Sequence, residues 1–184
     1  MKSSNDAAKR NLTKKAVNQP AKVTIRKLPT GVRGLDDILG GGIPEFSFNI
    51  IAGKPGCGKT TMAHQIIFAN ATAKNPGLFF TVLGEPAIKM LRYQQQFSFF
   101  DGSKVGNAVR FINLSDLVLS QDLNAVLAEI IKQVTAANPS VVVVDSFRTV
   151  MRKALATTDE MEMQSFIVQL TQFLTSWEAT TFLV

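Results

Sequence analysis

Residues Gly53–Thr61 read GKPGCGKTT, between the apolar run Phe46–Ala52 (FSFNIIA) and the helix-compatible stretch Met62–Phe68 (MAHQIIF). The spacing Gly53-x-x-x-x-Gly58-Lys59-Thr60 is the phosphate-binding P-loop pattern, standing where that pattern must stand, after a strand and at the start of a helix. Glycines let successive backbone N–H groups turn inward as a cradle for phosphate oxygens, and the helix start adds a partial positive charge. The expected cradle is Gly53, Lys54, Pro55, Gly56, Cys57, Gly58, Lys59, Thr60 and Thr61. Lys59 is expected to reach the β- and γ-phosphates of a nucleotide, and the Thr60 hydroxyl to ligate Mg²⁺.

Such a site needs a second anionic group for the metal, at the end of a neighbouring buried strand. Val141-Val-Val-Val-Asp145-Ser146 supplies one: four β-branched residues bury both faces of a strand, and Asp145 emerges at its carboxyl end, a Walker B pattern. Hydrolysis also needs a group that orients or deprotonates water. The run Phe79–Glu85 (FFTVLGE) closes on a carboxylate. The residues alone leave open whether Glu85 faces the nucleotide or is a surface carboxylate ahead of Pro86.

Outward from these motifs, short apolar runs alternate with longer helix-compatible stretches, as in a parallel sheet with crossover helices. Strands are expected at Phe48–Ala52, Leu78–Leu83, Val109–Asn113, Val141–Asp145 and Thr181–Val184. Helices are expected at Thr60–Ala71, Ala87–Phe97, Asp122–Ala137 and Asp159–Glu178. The last carries Met163, Phe166, Ile167, Leu170, Phe173, Leu174 and Trp177 at spacings of three and four, a core-facing stripe.

The 184 residues suffice for one domain, and 46% of them are hydrophobic. The formal charge of +6 is uneven: residues 1–33 hold nine Lys and Arg against one Asp, and the rest is close to neutral. Residues 1–21 therefore read as a basic, disordered arm and residues 22–184 as the folded domain. The arm offers a contact to nucleic acid, but no aromatic is interleaved with its charges, so a solubilising tail is the preferred reading. With one cysteine there is no disulfide framework, and no apolar run reaches membrane-spanning length; a cytoplasmic protein without membrane contact is expected. His64 has no Cys or His companions and reads as a helix-surface or packing residue rather than a metal ligand. Gln65 is a candidate near the phosphates, and Phe97, Phe99 and Phe100 read as a core or subunit contact.

The stretch Thr30–Pro44 (TGVRGLDDILGGGIP), followed by the P-loop, resembles the opening of the KaiC-like branch of RecA-type ATPases, and the similarity extends from about Leu28 to Val184. The resemblance implies a RecA-like α/β fold with a mostly parallel central sheet flanked by helices. It further implies ATP and Mg²⁺ binding, nucleotide at subunit interfaces, homo-oligomeric rings that are often hexameric, and regulatory protein partners. In that family the strand after the P-loop helix commonly ends in two glutamates, which match Gly84 and Glu85. Glu85 inherits the hydrolytic role, while Gly84 argues for slow turnover and against self-phosphorylation. Phe46 replaces a usual glycine. Arg148 and Arg152 are candidates to reach a neighbouring subunit's phosphates.

In the resembling fold, the strand at Thr181–Val184 inserts between the P-loop and Walker B strands, and further strands follow it. The chain is accordingly expected to be the first part of a longer domain. The leading function is a Mg²⁺-dependent ATPase whose cycle drives conformational or partner switching. The alternatives are a nucleotide-held scaffold with little hydrolysis and a RecA-type DNA-repair mediator.

Overall fold

The computed structural model describes residues 24–82, 87–120, 123–150 and 160–184. In chain order the elements are β1 (Lys27–Leu28), α1 (Leu35–Ile38), β2 (Ile43–Pro44), β3 (Phe48–Ile50) and α2 (Lys59–Asn70). They continue with β4 (Gly77–Thr81), α3 (Ala87–Gln94), β5 (Val109–Asn113), α4 (Ser115–Ser120) and α5 (Leu123–Ala137). β6 (Val141–Asp145), α6 (Glu160–Ser176) and β7 (Thr180–Leu183) follow, with a 3-10 turn at Gly102–Lys104 and helical residues at 147–150.

Strands β3, β7, β6, β4 and β5 form one sheet in that order, every pair parallel. Alternation along the strands explains why both faces are covered. On β6, Val142 and Val144 join Leu78 and Phe80 of β4 in the core capped by α5 and α6, while Val141 and Val143 join Phe79 in the core capped by α2. Side chains on a strand alternate sides, so a continuous apolar run must be buried on both. The α6 stripe behaves as its spacing requires: Phe166, Leu170 and Leu174 are buried, and Ile167, Phe173 and Trp177 pack partly buried beside them.

β7 lies between the P-loop strand β3 and the Walker B strand β6, as the resemblance implied. The expected boundaries hold to within a few residues. β3 stops at Ile50, although the Ile51 N–H still donates to the Leu183 carbonyl at 2.8 Å. α3 ends at Gln94 rather than Phe97, the chain passing into turns at Gln96 and Phe97. The basic arm at 1–21, Leu83, Asp122, Asp159 and the Met163 side chain lie outside the described residues.

The stretch that carries the family resemblance is a small lobe laid on α2. β1 pairs antiparallel with β2, and Thr30 donates to Asp36 Oδ1 from both its N–H (2.8 Å) and its hydroxyl (2.7 Å). These bonds hold the Asp36 carboxylate below its usual pKa. The Gln65 and Asn70 amides of α2 donate to the carbonyls of Gly31 and Pro29. Gln65, a sequence candidate near the phosphates, thus has its amide N–H engaged in securing this lobe. Phe46 lies just beyond β2 with φ 62, a left-handed conformation that disfavours any side chain and accounts for the glycine usual there.

Candidate nucleotide site

The glycine loop leaves β3 and enters α2 through Gly56 and Gly58, at φ 79 and 91. A side chain is strained at such angles, and glycine adopts them freely. Gly53 answers a different demand: a Cβ there would stand 2.6 Å from Cys57 Sγ. Residues 53–58 are exposed, Cys57 among them as a free thiol. No side chain caps α2, so its first turn keeps backbone donors for an external anion.

Lys59 Nζ donates to the carbonyls of Gly53 and Lys54, each at 3.1 Å. The ammonium thus folds back over its own loop, where its partners among the described residues are these two neutral carbonyls. Beside it, the Thr60 hydroxyl donates to Asp145 Oδ2 at 2.6 Å. Asp145 is buried at the end of β6, and that burial raises its pKa; the Thr60 hydrogen bond and the Lys59 charge oppose the shift. The direct Thr60–Asp145 bond joins residues far apart in sequence and has no sequence signal beyond the pairing of two motifs. Thr61 is half-buried in the first turn of α2.

Three backbone bonds tie the strand ends around this point. Val82 N–H donates to the Asp145 carbonyl (2.9 Å), Val184 N–H to Val144 (3.0 Å) and Phe147 N–H to Val184 (2.7 Å). The Asp145–Ser146 peptide is cis. The Ser146 hydroxyl accepts from the Thr149 N–H at 3.2 Å, making it a turn residue. A cavity of about 280 Å³ opens beside the loop, bordered by Gly53, Lys59, Arg148 and the ends of β3 and β7. Glu85, Gly84 and Arg152 lie outside the described residues.

His64, on α2, is fully buried, stacked on Phe79 with centroids 4.3 Å apart and planes 4° from parallel. Among the described residues neither ring nitrogen has a hydrogen-bond partner, and burial pushes its pKa down to about 4. It is a packing residue, and among the described residues no group of three or more His, Cys, Asp or Glu gathers to hold a metal. Phe99 and Phe100 pack against Phe68 and the core, and Phe97 stacks on Phe99.

The residues fit the groups that the motifs imply. Thr60 and Asp145 bring a hydroxyl and a carboxylate oxygen together, the hard oxygen donors that Mg²⁺ takes. The glycine loop, the uncapped helix start and Lys59 fit phosphate oxygens.

A glycine loop between one strand and a helix, a buried carboxylate ending a second strand, and a third strand between the two define the RecA-type P-loop fold. The chain belongs to the KaiC ATPase family, whose model matches residues 28–184. It is similar to a UPF0273 protein of Methanopyrus kandleri, 38% identical over 64 residues, covering 35% of this chain and 25% of that protein. It is also similar to the DNA repair protein RadA of Mycobacterium tuberculosis, 32% identical over 67% of this chain and 23% of RadA. The matched segments thus span about a quarter of the length of these curated relatives. Among solved structures, a KaiC-like protein of Pyrococcus horikoshii superposes with TM-score 0.69 at 26% identity, covering 87% of this chain and 71% of that one.

Proposed function

We propose that this chain binds ATP with Mg²⁺ and hydrolyses it slowly, the cycle driving a conformational change or the exchange of a protein partner. The observation that carries this reading is the Thr60–Asp145 pair beside Lys59, two oxygens and a cation gathered at the mouth of the glycine loop. Gly53 to Thr61 would wrap the phosphates with backbone N–H groups. Lys59 would exchange its neutral carbonyl partners for β- and γ-phosphate oxygens, a stronger charge-assisted pairing. Mg²⁺, held by Thr60 and Asp145, would neutralise phosphate charge. Glu85 would orient the attacking water and accept its proton, and Gly84 beside it leaves that carboxylate alone, which fits slow turnover and no self-kinase activity.

The wider reading is a domain at 22–184 behind a basic arm at 1–21, assembling with itself into rings, hexameric by family resemblance, with nucleotide between subunits. A regulatory protein partner and a cytoplasmic location belong to the same reading. Among the described residues no helix is long and apolar enough to cross a membrane. The similarity to RadA over 67% of the chain supports a second reading, a DNA-repair mediator using the same nucleotide site. Equilibrium binding of a fluorescent ATP with and without Mg²⁺, with phosphate release measured in the presence and absence of single-stranded DNA, tests both. Mg²⁺-dependent binding with slow release supports the ATPase; stimulation by DNA shifts the assignment to the mediator, and no binding removes both.

A further inference from the structure

Among the described residues that border the cavity beside the P-loop, the charged side chains are those of Lys59 and Arg148, over a largely apolar wall that includes Ile51, Leu183 and Phe147. The Arg148 backbone is anchored on both sides, while its side chain is exposed. The preceding Phe147 N–H is anchored on the Val184 carbonyl at 2.7 Å, the following Thr149 N–H on Ser146, and Val150 is buried in the core. Within the described residues the guanidinium itself has no hydrogen-bond or ion-pair partner, and the Asp145 carboxylate three residues before it is engaged by Thr60. An exposed guanidinium with no partner among the described residues, bordering the same apolar-walled cavity as the P-loop lysine, is placed to receive an anion, which a planar fork binds in bidentate fashion.

The place of that anion follows from the neighbours. In the proposed function, on which this inference rests, the glycine loop and the α2 start would hold the inner phosphates, and Thr60 and Asp145 would hold the metal that neutralises phosphate charge. The cavity opens off the same loop toward β7, the strand between β3 and β6. We propose that Arg148 binds the terminal phosphate of the nucleotide held by its own chain. Sequence alone offered Arg148 as a group for a neighbouring subunit; sharing a cavity with Gly53 and Lys59 of the same chain favours the in-chain role.

The test compares Mg²⁺-dependent binding of fluorescent ATP and ADP by the wild-type chain, Arg148→Ala, Arg148→Lys and Lys59→Ala, with circular dichroism to confirm folding. Arg148→Ala is expected to weaken ATP about tenfold while ADP stays within about twofold, the size of one charge-assisted contact to the terminal phosphate. Arg148→Lys should fall between, and Lys59→Ala should lose both nucleotides. Mixing Lys59→Ala with Arg148→Ala chains should restore no hydrolysis beyond the sum of the two. Recovered hydrolysis in the mixture would move Arg148 to a neighbour's site and overturn the proposal. Equal loss of ATP and ADP, or none, in folded Arg148→Ala would also overturn it, while leaving the ATP reading intact if Lys59→Ala still fails to bind. Absence of binding by the wild-type chain would remove the ATP reading itself, and this proposal with it.

Discussion

The Thr60 hydroxyl and Asp145 Oδ2 are 2.6 Å apart although 85 residues separate them in the chain. Burial favours the neutral acid, so the folded chain protonates Asp145 at a higher pH than the ordinary 3.8, against the pull of Thr60 and Lys59. Ionised Asp145 consequently costs stability above its folded pKa, and that cost is relieved as the pH falls through it. Metal binding has the opposite sign, because it needs the carboxylate. Mg²⁺-dependent nucleotide binding should therefore decline on acidification before exposed aspartates titrate. Asp145→Asn should lose Mg²⁺ dependence without losing stability. Calorimetric titration across a pH series, with melting curves, checks both.

Lys59→Ala removes the one ammonium clasped over the loop by the Gly53 and Lys54 carbonyls. ATP·Mg²⁺ binding should be abolished and the fold retained, since those acceptors are exposed to water. Unchanged ATP affinity in a folded variant would remove the phosphate role.

Glu85→Gln keeps the side-chain shape and deletes the charge. Hydrolysis should fall by roughly 10²- to 10⁴-fold, the range for a general base, with ATP binding retained. Gly84→Glu should raise turnover if two adjacent carboxylates act together on water. Phosphate release at matched protein concentrations decides; turnover persisting in Glu85→Gln would place the base elsewhere.

His64 is expected to make stability fall on acidification. Its folded pKa is about 4 against 6.5 when free, so the unfolded chain binds the proton first. Stability should be flat above the free value, decline between the two, and lose about 3 kcal/mol in all, at 1.36 kcal/mol per pKa unit. His64→Leu should flatten that slope in urea midpoints measured as a function of pH. An unchanged slope would mean that the imidazole is hydrated or paired.

Phe46 is held at φ 62 with its ring 50% exposed. Left-handed backbone costs a residue with a side chain roughly 1–2 kcal/mol, and a half-exposed ring returns only part of it. Phe46→Gly should leave stability level or raise it by up to about 1 kcal/mol, read from the melting temperature. The hydrogen bond from the residue 46 N–H to the Thr180 side-chain hydroxyl uses only the backbone of residue 46 and survives the change. A marked loss would show that the ring packs against a partner surface.

The sheet was legible because its strands are unambiguous: Val141–Asp145 and Val109–Asn113 are continuous β-forming runs, and both were read to the residue. The lobe from Lys27 to Pro44 was legible only as a family pattern. Its strands are two residues long and its helix four, too short for any period to register, and the Thr30–Asp36 bonds that hold it are matters of three dimensions. For His64 the pattern left surface and packing roles both open, and it gave no sign of the Gln65 bond to the lobe, for a related reason. α2 is buried on much of its circumference, so its apolar residues mark no single face, and adjacent polar residues went to opposite surroundings, one to a phenylalanine stack and one to the Gly31 carbonyl. The P-loop and Asp145 were readable as motifs, whereas the resting place of the Lys59 ammonium depends on loop geometry that sequence does not encode locally.

Among the described strands, β3 pairs only with β7, and the Asn49 amide reaches across 132 residues to the Thr181 carbonyl. Pairings this distant are slow to form, because a long loop must close before any contact rewards it. On the ribosome, the phosphate loop is synthesised early but acquires its sheet neighbour only after residues 180–183 have emerged. The loop strand therefore lacks a sheet neighbour among the described strands until β7 docks, and under the proposed function ATP would assist folding no earlier than that docking, when the loop strand and the carboxylate strand are brought into one sheet.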